Sequence, residues 1–176
     1  MIRSEHEGLR PRLCSGANAR NLVTKVCALG VVALLAAACG RQSGLDHAPG
    51  ICVNGLASER AADMRTALAK APERVALPGG TRISDCLAHD SGSGDIQTVG
   101  STLLKVTQDL VDASRRRRSD VALTELGYLI GAAHRGAARA QGVADELVRR
   151  LDQELQDVDV NAPAYQTGER AGRAGG

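Results

Sequence analysis

The chain has 176 residues, and its 22 Lys and Arg against 20 Asp and Glu give a formal net charge of +2. Phe and Trp are absent, so Tyr128 and Tyr165 are its only aromatic residues besides histidine. This composition excludes sites built on aromatic platforms, such as sugar-stacking clefts, base-stacking grooves and aromatic cages. It also predicts a core of aliphatic and alanine side chains, which suits closely packed helices.

The N-terminal segment has the charge layout of an export signal. Residues 1–25 carry five basic and two acidic residues, and residues 26–38 carry no charge. A helix over that apolar run would rise about 20 Å, short of the roughly 30 Å hydrocarbon core of a bilayer. The segment is therefore predicted to be a signal peptide, removed as residues 1–38, and not a membrane-spanning helix. The remaining chain has a formal net charge of −1 and no basic footprint for nucleic acid.

The apolar run ends in VVALLAAACG, residues 31–40, with small residues on both sides of Cys39. Residues 20–40 resemble the lipobox signal of bacterial lipoproteins, although Leu35 lies one position further from the cysteine than in the commonest pattern. The resemblance implies that the Cys39 thiol receives a diacylglycerol and that a peptidase then cuts before it. It further implies a lipid-anchored protein on the extracytoplasmic face of the cell membrane. The alternative is an ordinary signal peptide in which Cys39 occurs by chance.

Two cysteines remain once Cys14 and Cys27 leave with the signal and Cys39 is acylated. Residues 39–51 are predicted to be a lipidated tether, since they are rich in Gly and polar residues. Cys52 and Cys86 are predicted to form a disulfide, because cysteines of exported domains usually pair. Closing that loop would stabilise the fold by roughly 3 to 4 kcal/mol. The alternative is a metal- or small-molecule-binding site, with zinc bound by four residues: His47, Cys52, Cys86 and His89.

Residues 52–160 are predicted to form one helical domain. Apolar residues at spacings of three and four predict a first helix over residues 58–70, closed by Pro72. Alternating Val75 and Leu77, followed by a Pro-Gly-Gly turn, predict a short β-hairpin that ends at Cys86. The HDSGSGD run over residues 89–95 is interpreted as a loop. A hydrolase that uses Ser91 or Ser93 is a third hypothesis, but the run lacks the glycine pattern of a nucleophile elbow.

Two longer helices follow. Apolar residues that step by three and four predict a second helix over residues 95–114, and residues 115–118 form an Arg-rich turn, read as a solvated loop or as a contact for anionic lipid. Ser119 or Asp120 should cap a third helix whose apolar seam runs to Val158.

The third helix carries two further features. Gly127 and Gly131 add a small-residue groove to it. His134 lies nearby, with no matched acid in the sequence around it, and is interpreted as structural or exposed.

The third helix is longer than the second, which leaves three options for its far end. It could meet the first helix, bend near Gly136 or Gly142, or pair with another copy of the chain. Residues 137–151 resemble the turn and second helix of a DNA-binding helix-turn-helix, but the seam runs through Gly142 without a change of phase and the chain carries an export signal. Residues 161–176 show no apolar periodicity and are predicted to be a disordered tail.

The sequence therefore predicts a mainly α fold: a small bundle of three helices with a β-hairpin between the first and the second. No enzyme motif is recognised, so we expect a non-catalytic interaction or structural module without a cofactor. The expected partners are membrane lipid through Cys39, an unknown envelope protein and, through the third helix, a second copy. Nucleic acid is not expected among them.

Overall fold

The computed structural model describes residues 47–88, 93–117, 119–140 and 142–176. The described residues are mainly helical, as predicted, and contain no β-strand. Within these ranges no helix combines the length and the hydropathy needed to cross a bilayer. The α-helices are α1 (Gly50–Val53), α2 (Ala57–Leu68), α3 (Ser93–Arg117), α4 (Asp120–Ala137), α5 (Val143–Gln153) and α6 (Pro163–Gly175), and 3₁₀ turns cover Pro78–Gly80 and Ile83–Cys86.

Helix α4 is the centre of the fold. It packs against α2, α3, α5, α6 and the second 3₁₀ turn. Every residue of its LGYLIGAA run, residues 126–133, is buried, as expected of a helix that is apolar on all sides. Its first turn is capped by Ser119, whose hydroxyl oxygen accepts a hydrogen bond from the Ala122 amide at 3.3 Å. This is the cap that the sequence predicts.

Helix α3 supplies the second layer of the core. It extends slightly beyond the predicted second helix at both ends. Four residues of the predicted seam are almost completely buried: Val99, Leu103, Val106 and Leu110. The alternation of four and three residues keeps these side chains on one face of the helix, so the seam predicts the buried side of α3 correctly.

The predicted third helix is divided. Helix α4 ends at Ala137, and α5 begins after Gly142, which has φ of +75°. Glycine adopts that left-handed conformation without the penalty that other residues pay. The chain therefore bends at Gly142, and α5 folds back to contact α3 and α4. The apolar residues that the sequence assigned to the far part of one long seam form the buried face of α5 instead: Ala144, Leu147, Val148 and Leu151.

The prediction of a β-hairpin before Cys86 is wrong. Val75 and Leu77 are buried in the helical core. Leu77 donates a hydrogen bond to the Thr81 carbonyl at 2.8 Å, but Pro78 has no amide hydrogen to extend a ladder. The chain instead turns through Gly79 and Gly80, both with positive φ, and passes into a 3₁₀ turn. The alternation of apolar residues here reflects burial on one side of an irregular segment.

The prediction of a disordered tail is also wrong, because residues 163–175 form α6. This helix lies parallel to α4 in an unusually close approach. A Cβ atom added at Gly168 would overlap the Thr124 carbonyl, and one added at Gly131 would overlap the Glu169 carbonyl. Glycine at these positions lets the two backbones come into direct contact. The small-residue groove predicted on α4 is thus filled by the segment that the sequence left without structure.

These helices change the domain boundaries. Ala48 is already buried, and its amide donates a hydrogen bond to an Asp95 carboxylate oxygen at 3.3 Å. The domain therefore begins before Cys52, shortening the predicted tether, and continues beyond residue 160 through α6. A three-helix bundle does not describe this arrangement, since α4 is packed on by four other helices.

Candidate functional site

Cys39 and the lipobox lie outside the described residues, as does the whole of residues 1–38. The structure therefore places neither the predicted lipidation site nor the predicted cleavage point. The predicted site residues that it does describe begin with His47.

The structure joins Cys52 and Cys86 in a disulfide, the pairing that the sequence predicts, with the two Cα atoms 5.7 Å apart. Both cysteines are buried, and the bond links α1 to the second 3₁₀ turn. The two sulfur atoms are consequently not available as thiolate ligands for zinc.

The two histidines of the alternative zinc site are not brought to the cysteines. The His47 side chain is 84% exposed, and its Nδ1 atom lies 3.5 Å from an Asp95 carboxylate oxygen. His89 lies outside the described residues. Within the ranges that the structure covers, no three His, Cys, Asp or Glu side chains are placed to hold a metal ion.

The serine loop and the Arg-rich turn carry little further information. Ser91 lies outside the described residues, and of Ser93 only the backbone, at the start of α3, is described. Arg115 pairs with Asp157 at 3.0 Å, and Arg116 pairs with Asp112 at 3.4 Å. The described part of the turn is therefore charge-balanced at the surface, which favours the solvated interpretation over a contact with anionic lipid.

The helix-turn-helix resemblance corresponds to the bend at Gly142 and to α5. On the exposed side of α5, Arg149 and Arg150 both donate hydrogen bonds to Glu146. These bonds lower the pKa of the Glu146 carboxyl to about 2. The two arginines thus share one carboxylate within their own helix, which offsets one of their two positive charges, whereas a reader of DNA needs cations that face phosphate.

The bend at Gly142 creates a polar cleft between α4, α5, α6 and the α5–α6 connection, with a volume of about 350 Å³. Ile130, Leu155 and Val160 give it apolar walls. Polar side chains complete its lining: His134, Asp152, Gln156, Tyr165, Gln166 and Glu169. We call this set the polar cleft.

His134 and Asp152 form the first polar pair of the cleft. The His134 Nε2 atom lies 3.1 Å from the Asp152 Oδ1 atom, and both side chains are partly exposed. The interpretation of His134 as a histidine without an acid is therefore wrong. The two residues are 18 positions apart, and they meet because the chain reverses at Gly142.

Tyr165 lies in the interior of the polar cleft. Only 3% of the residue, which carries a phenolic hydroxyl, is exposed. Burial, together with the negative charges of Glu169 and Asp152, raises the pKa of this hydroxyl well above its ordinary value. The hydroxyl therefore keeps its proton at neutral pH and can donate or accept a hydrogen bond, but it does not serve as a base or nucleophile.

Glu169 and Gln166 complete the α6 side of the cleft. Glu169 accepts two hydrogen bonds from Arg173 on one oxygen, Oε1, at 3.1 and 2.8 Å. Gln166 donates to the Val160 carbonyl at 2.7 Å and so fixes the connection to α6. The cleft is assembled from three helices, and none of its polar residues was among the sites predicted from the sequence.

A second, more apolar groove lies between α3 and α5, with a volume of about 410 Å³. Val143 at its edge is 62% exposed. The other apolar residues of this groove are Ile96, Leu104 and Leu147. The groove has Glu146 and Arg150, already paired with each other, as its charged residues.

No protein-family model, no curated protein and no solved structure matches this chain. Its function therefore has to be inferred from its own residues.

Proposed function

We propose that this chain is a lipid-anchored, extracytoplasmic protein of the bacterial cell envelope that acts by binding and not by catalysis. The anchor would be a diacylglycerol on Cys39. Its partners would be membrane lipid, through that anchor, and an envelope protein; nucleic acid would not be among them. A homodimer stays a prediction, although the bend at Gly142 removes the reason given for it, an uncovered end of the third helix.

The observation that supports this proposal best is the Cys52–Cys86 disulfide. Disulfides form and persist in oxidising compartments and are rare in the bacterial cytosol. An exported chain with the lipobox-like residues 31–40 would meet such a compartment. The predicted export signal is a feature of the sequence and the disulfide is a feature of the fold, and both support the same side of the membrane.

The length of the tether defines where a partner could be bound. Residues 40–46 separate Cys39 from the first described residue, His47. Even fully extended, the backbone from Cys39 to His47 spans at most about 28 Å. A domain held on so short a chain would stay close to the bilayer, so its partner would be a membrane protein or a component near the membrane surface.

The polar cleft supports a binding role more than a catalytic one. Its most buried polar residue is Tyr165, and burial raises the pKa of the Tyr165 hydroxyl, so this hydroxyl keeps its proton at neutral pH. His134 is hydrogen-bonded to Asp152. Among the residues that line the cleft there is no serine, cysteine or lysine to act as a nucleophile. The alternative function, a small-molecule-binding envelope lipoprotein, is favoured by this cleft and no longer by the two cysteines.

The anchor is tested by labelling cells that express the full chain with a palmitate analogue. We expect label on the wild-type protein and on Cys27→Ser, and none on Cys39→Ser. Cys27→Ser is a matched control because it removes a cysteine from the apolar run and leaves Cys39 in place. The intact mass of the labelled protein should match a chain from which residues 1–38 have been removed.

If the wild-type chain takes up no label while a known lipoprotein in the same cells does, the anchor is disproved. The compartment is tested separately by the intact mass before and after reduction. A gain of two hydrogen atoms on reduction of the protein taken from cells agrees with an oxidising location, and a chain isolated with two free thiols contradicts it.

A further inference from the structure

We propose that a groove between α2 and α3 binds a small organic anion, a monocarboxylate with a short aliphatic body. We call it the α2–α3 groove, and its volume is about 500 Å³. The inference concerns this groove alone and does not depend on the lipid anchor. It rests on a buried arginine nitrogen without a partner, on the charges along the groove and on its alanine wall.

Arg65 of α2 lines the groove, and its guanidinium group is incompletely hydrogen-bonded. The Nε atom is buried and has no hydrogen-bond partner among the residues that the structure describes. Buried polar groups normally have a partner, and a guanidinium group is always charged and carries five N–H donors. Because no bond holds Nε in place, the guanidinium can turn towards a ligand in the groove without breaking one there. An anion would supply the missing acceptor.

The other charged residues around the groove leave Arg65 available to an anion. Lys105 and Asp109 on α3 also line the groove, but they pair with each other, Nζ to Oδ1 at 2.5 Å. Glu125 of α4 attracts Arg65, but it does not line the groove, and the two described side chains form no ion pair. A single carboxylate on a ligand matches the one remaining positive charge, and its two oxygens match the planar fork of the guanidinium.

The wall of the groove determines the body of the ligand. Ser58 and Arg65 both line the groove and lie seven residues apart on α2, which is two turns, or about 10.5 Å. Between them the wall consists of Ala61 and Ala62, whose methyl groups give apolar surface without filling the space. The volume falls within the range of small-molecule pockets, about 300 to 1,000 Å³. An inorganic anion would leave this wall uncovered, so we expect a carboxylate that carries a short aliphatic chain.

The test compares three molecules of equal length: pentanoate, pentan-1-ol and pentylamine. Each is titrated into the full chain in lipid nanodiscs, because the alkyl chain of a detergent would itself compete for the groove. The chain carries ¹³C-methyl alanine and ¹⁵N-arginine, and NMR follows the Ala62 methyl group and the Nε–H group of Arg65. Pentanoate should shift both signals to saturation within about 10 mM, an affinity that so small a ligand can reach. Ala138, which is exposed like Ala62 but lies outside the groove, should not move.

A charge variant identifies the group that binds the carboxylate. Arg65→Gln should weaken pentanoate binding at least about tenfold, because it removes the charge-assisted hydrogen bonds. Arg74→Gln is the matched control, since Arg74 is an exposed arginine outside the groove. Its removal should change the affinity less than about twofold.

A second variant fills the groove and keeps every charge. Ala62→Leu adds side-chain volume at an exposed position that lines the groove, and it should weaken pentanoate binding about tenfold. Ala138→Leu adds the same volume outside the groove and should leave the affinity unchanged within about twofold. If Arg65→Gln loses the far-UV circular dichroism of the folded chain, the two leucine variants and the three ligands on the wild type decide.

Three results would overturn the proposal: no saturable shift of Ala62 by pentanoate, binding of pentan-1-ol or pentylamine as tight as that of pentanoate, or full affinity in a folded Arg65→Gln variant. Failure of palmitate labelling would leave these outcomes unchanged, so the two proposals fail separately.

Discussion

The α3 layer and the α6 layer cover α4 by different means. Helix α3 is buried through branched side chains: Val99, Leu103, Val106 and Leu110. Helix α6 is buried through glycines, with Gly168 and Gly172 facing α4 and with Gly127 and Gly131 of α4 facing α6. The first interface consists of interlocking side chains, and the second brings two helix backbones into contact.

The two kinds of interface should respond to substitution in opposite ways. At an interface of packed side chains, removing volume lowers the free energy of unfolding, because a cavity remains. At an interface of packed backbones, adding volume lowers the free energy of unfolding, because the main chain cannot rotate away as a flexible side chain can. Because the glycines let the two backbones touch, α6 needs little apolar side-chain surface to remain on α4.

The largest effect is expected at the glycine interface. Gly168→Ala should lower the free energy of unfolding by about 4 kcal/mol, near the upper end for single substitutions. The added Cβ would overlap the Thr124 carbonyl and would lie 2.9 Å from the Tyr128 amide. Chemical denaturation of the full chain, followed by far-UV circular dichroism, measures the change.

Gly94→Ala is the matched control. Gly94 lies in the first turn of α3, and a Cβ there would have nothing within 4 Å. Alanine has the higher helix propensity, so this change should raise the free energy of unfolding by up to about 1 kcal/mol. If Gly168→Ala behaves like Gly94→Ala, α6 is not seated on α4 as described.

The side-chain interface should show the next largest effect. Leu103 is completely buried in α3, and Leu103→Ala should lower the free energy of unfolding by about 3 kcal/mol through lost transfer energy and a residual cavity. Val121→Ala, at an exposed position of α4, should change it by less than about 0.5 kcal/mol. Thermal denaturation of both variants tests the difference, and equal effects would show that α3 is not packed as described.

The difference between the interfaces decided how much of the fold could be predicted. The seam of α3 was predictable, since branched residues at spacings of three and four show which face is buried. The end of α4 was harder, because the same spacing continues past Ala137, where α4 ends, and through Gly142, whose left-handed φ precedes α5. Helix α6 was missed, although Gly168, Gly172 and Gly176 repeat at the spacing of Gly127 and Gly131. Glycine repeats are also common in disordered segments, so composition favoured the wrong alternative.

The candidate site was less predictable than the fold. The disulfide followed from counting the cysteines that remain after export, an argument about composition and compartment. The polar cleft depends on tertiary structure, because Asp152 reaches His134 only after the bend and Tyr165 belongs to the segment predicted to be disordered. The His134–Asp152 contact and the position of Tyr165 could be found only after α5 and α6 had been placed.

The smallest effect is expected from a charged residue on α4 outside the glycine interface. Glu125 is only 8% exposed. Burial raises the pKa of its carboxyl above the ordinary value of 4.5, and the positive charge of Arg65 opposes that shift only in part. The folded chain therefore holds this proton more tightly than the unfolded chain does. The charged carboxylate accordingly costs stability at every pH above about 4.5.

Glu125→Gln removes the charge and nearly keeps the shape. At pH 7 it should raise the free energy of unfolding, by about 1 kcal/mol or less. As the pH falls through 4.5, wild-type Glu125 becomes neutral as well, so the difference between the two proteins should shrink towards zero. Denaturation at pH 7, 5 and 3.5 measures this trend. A variant that is less stable than the wild type at pH 7 would show that the attraction of Arg65 outweighs the cost of burying the Glu125 carboxylate. The side of α4 at Glu125 would then accommodate a charge, whereas the side that faces α6 excludes even a methyl group.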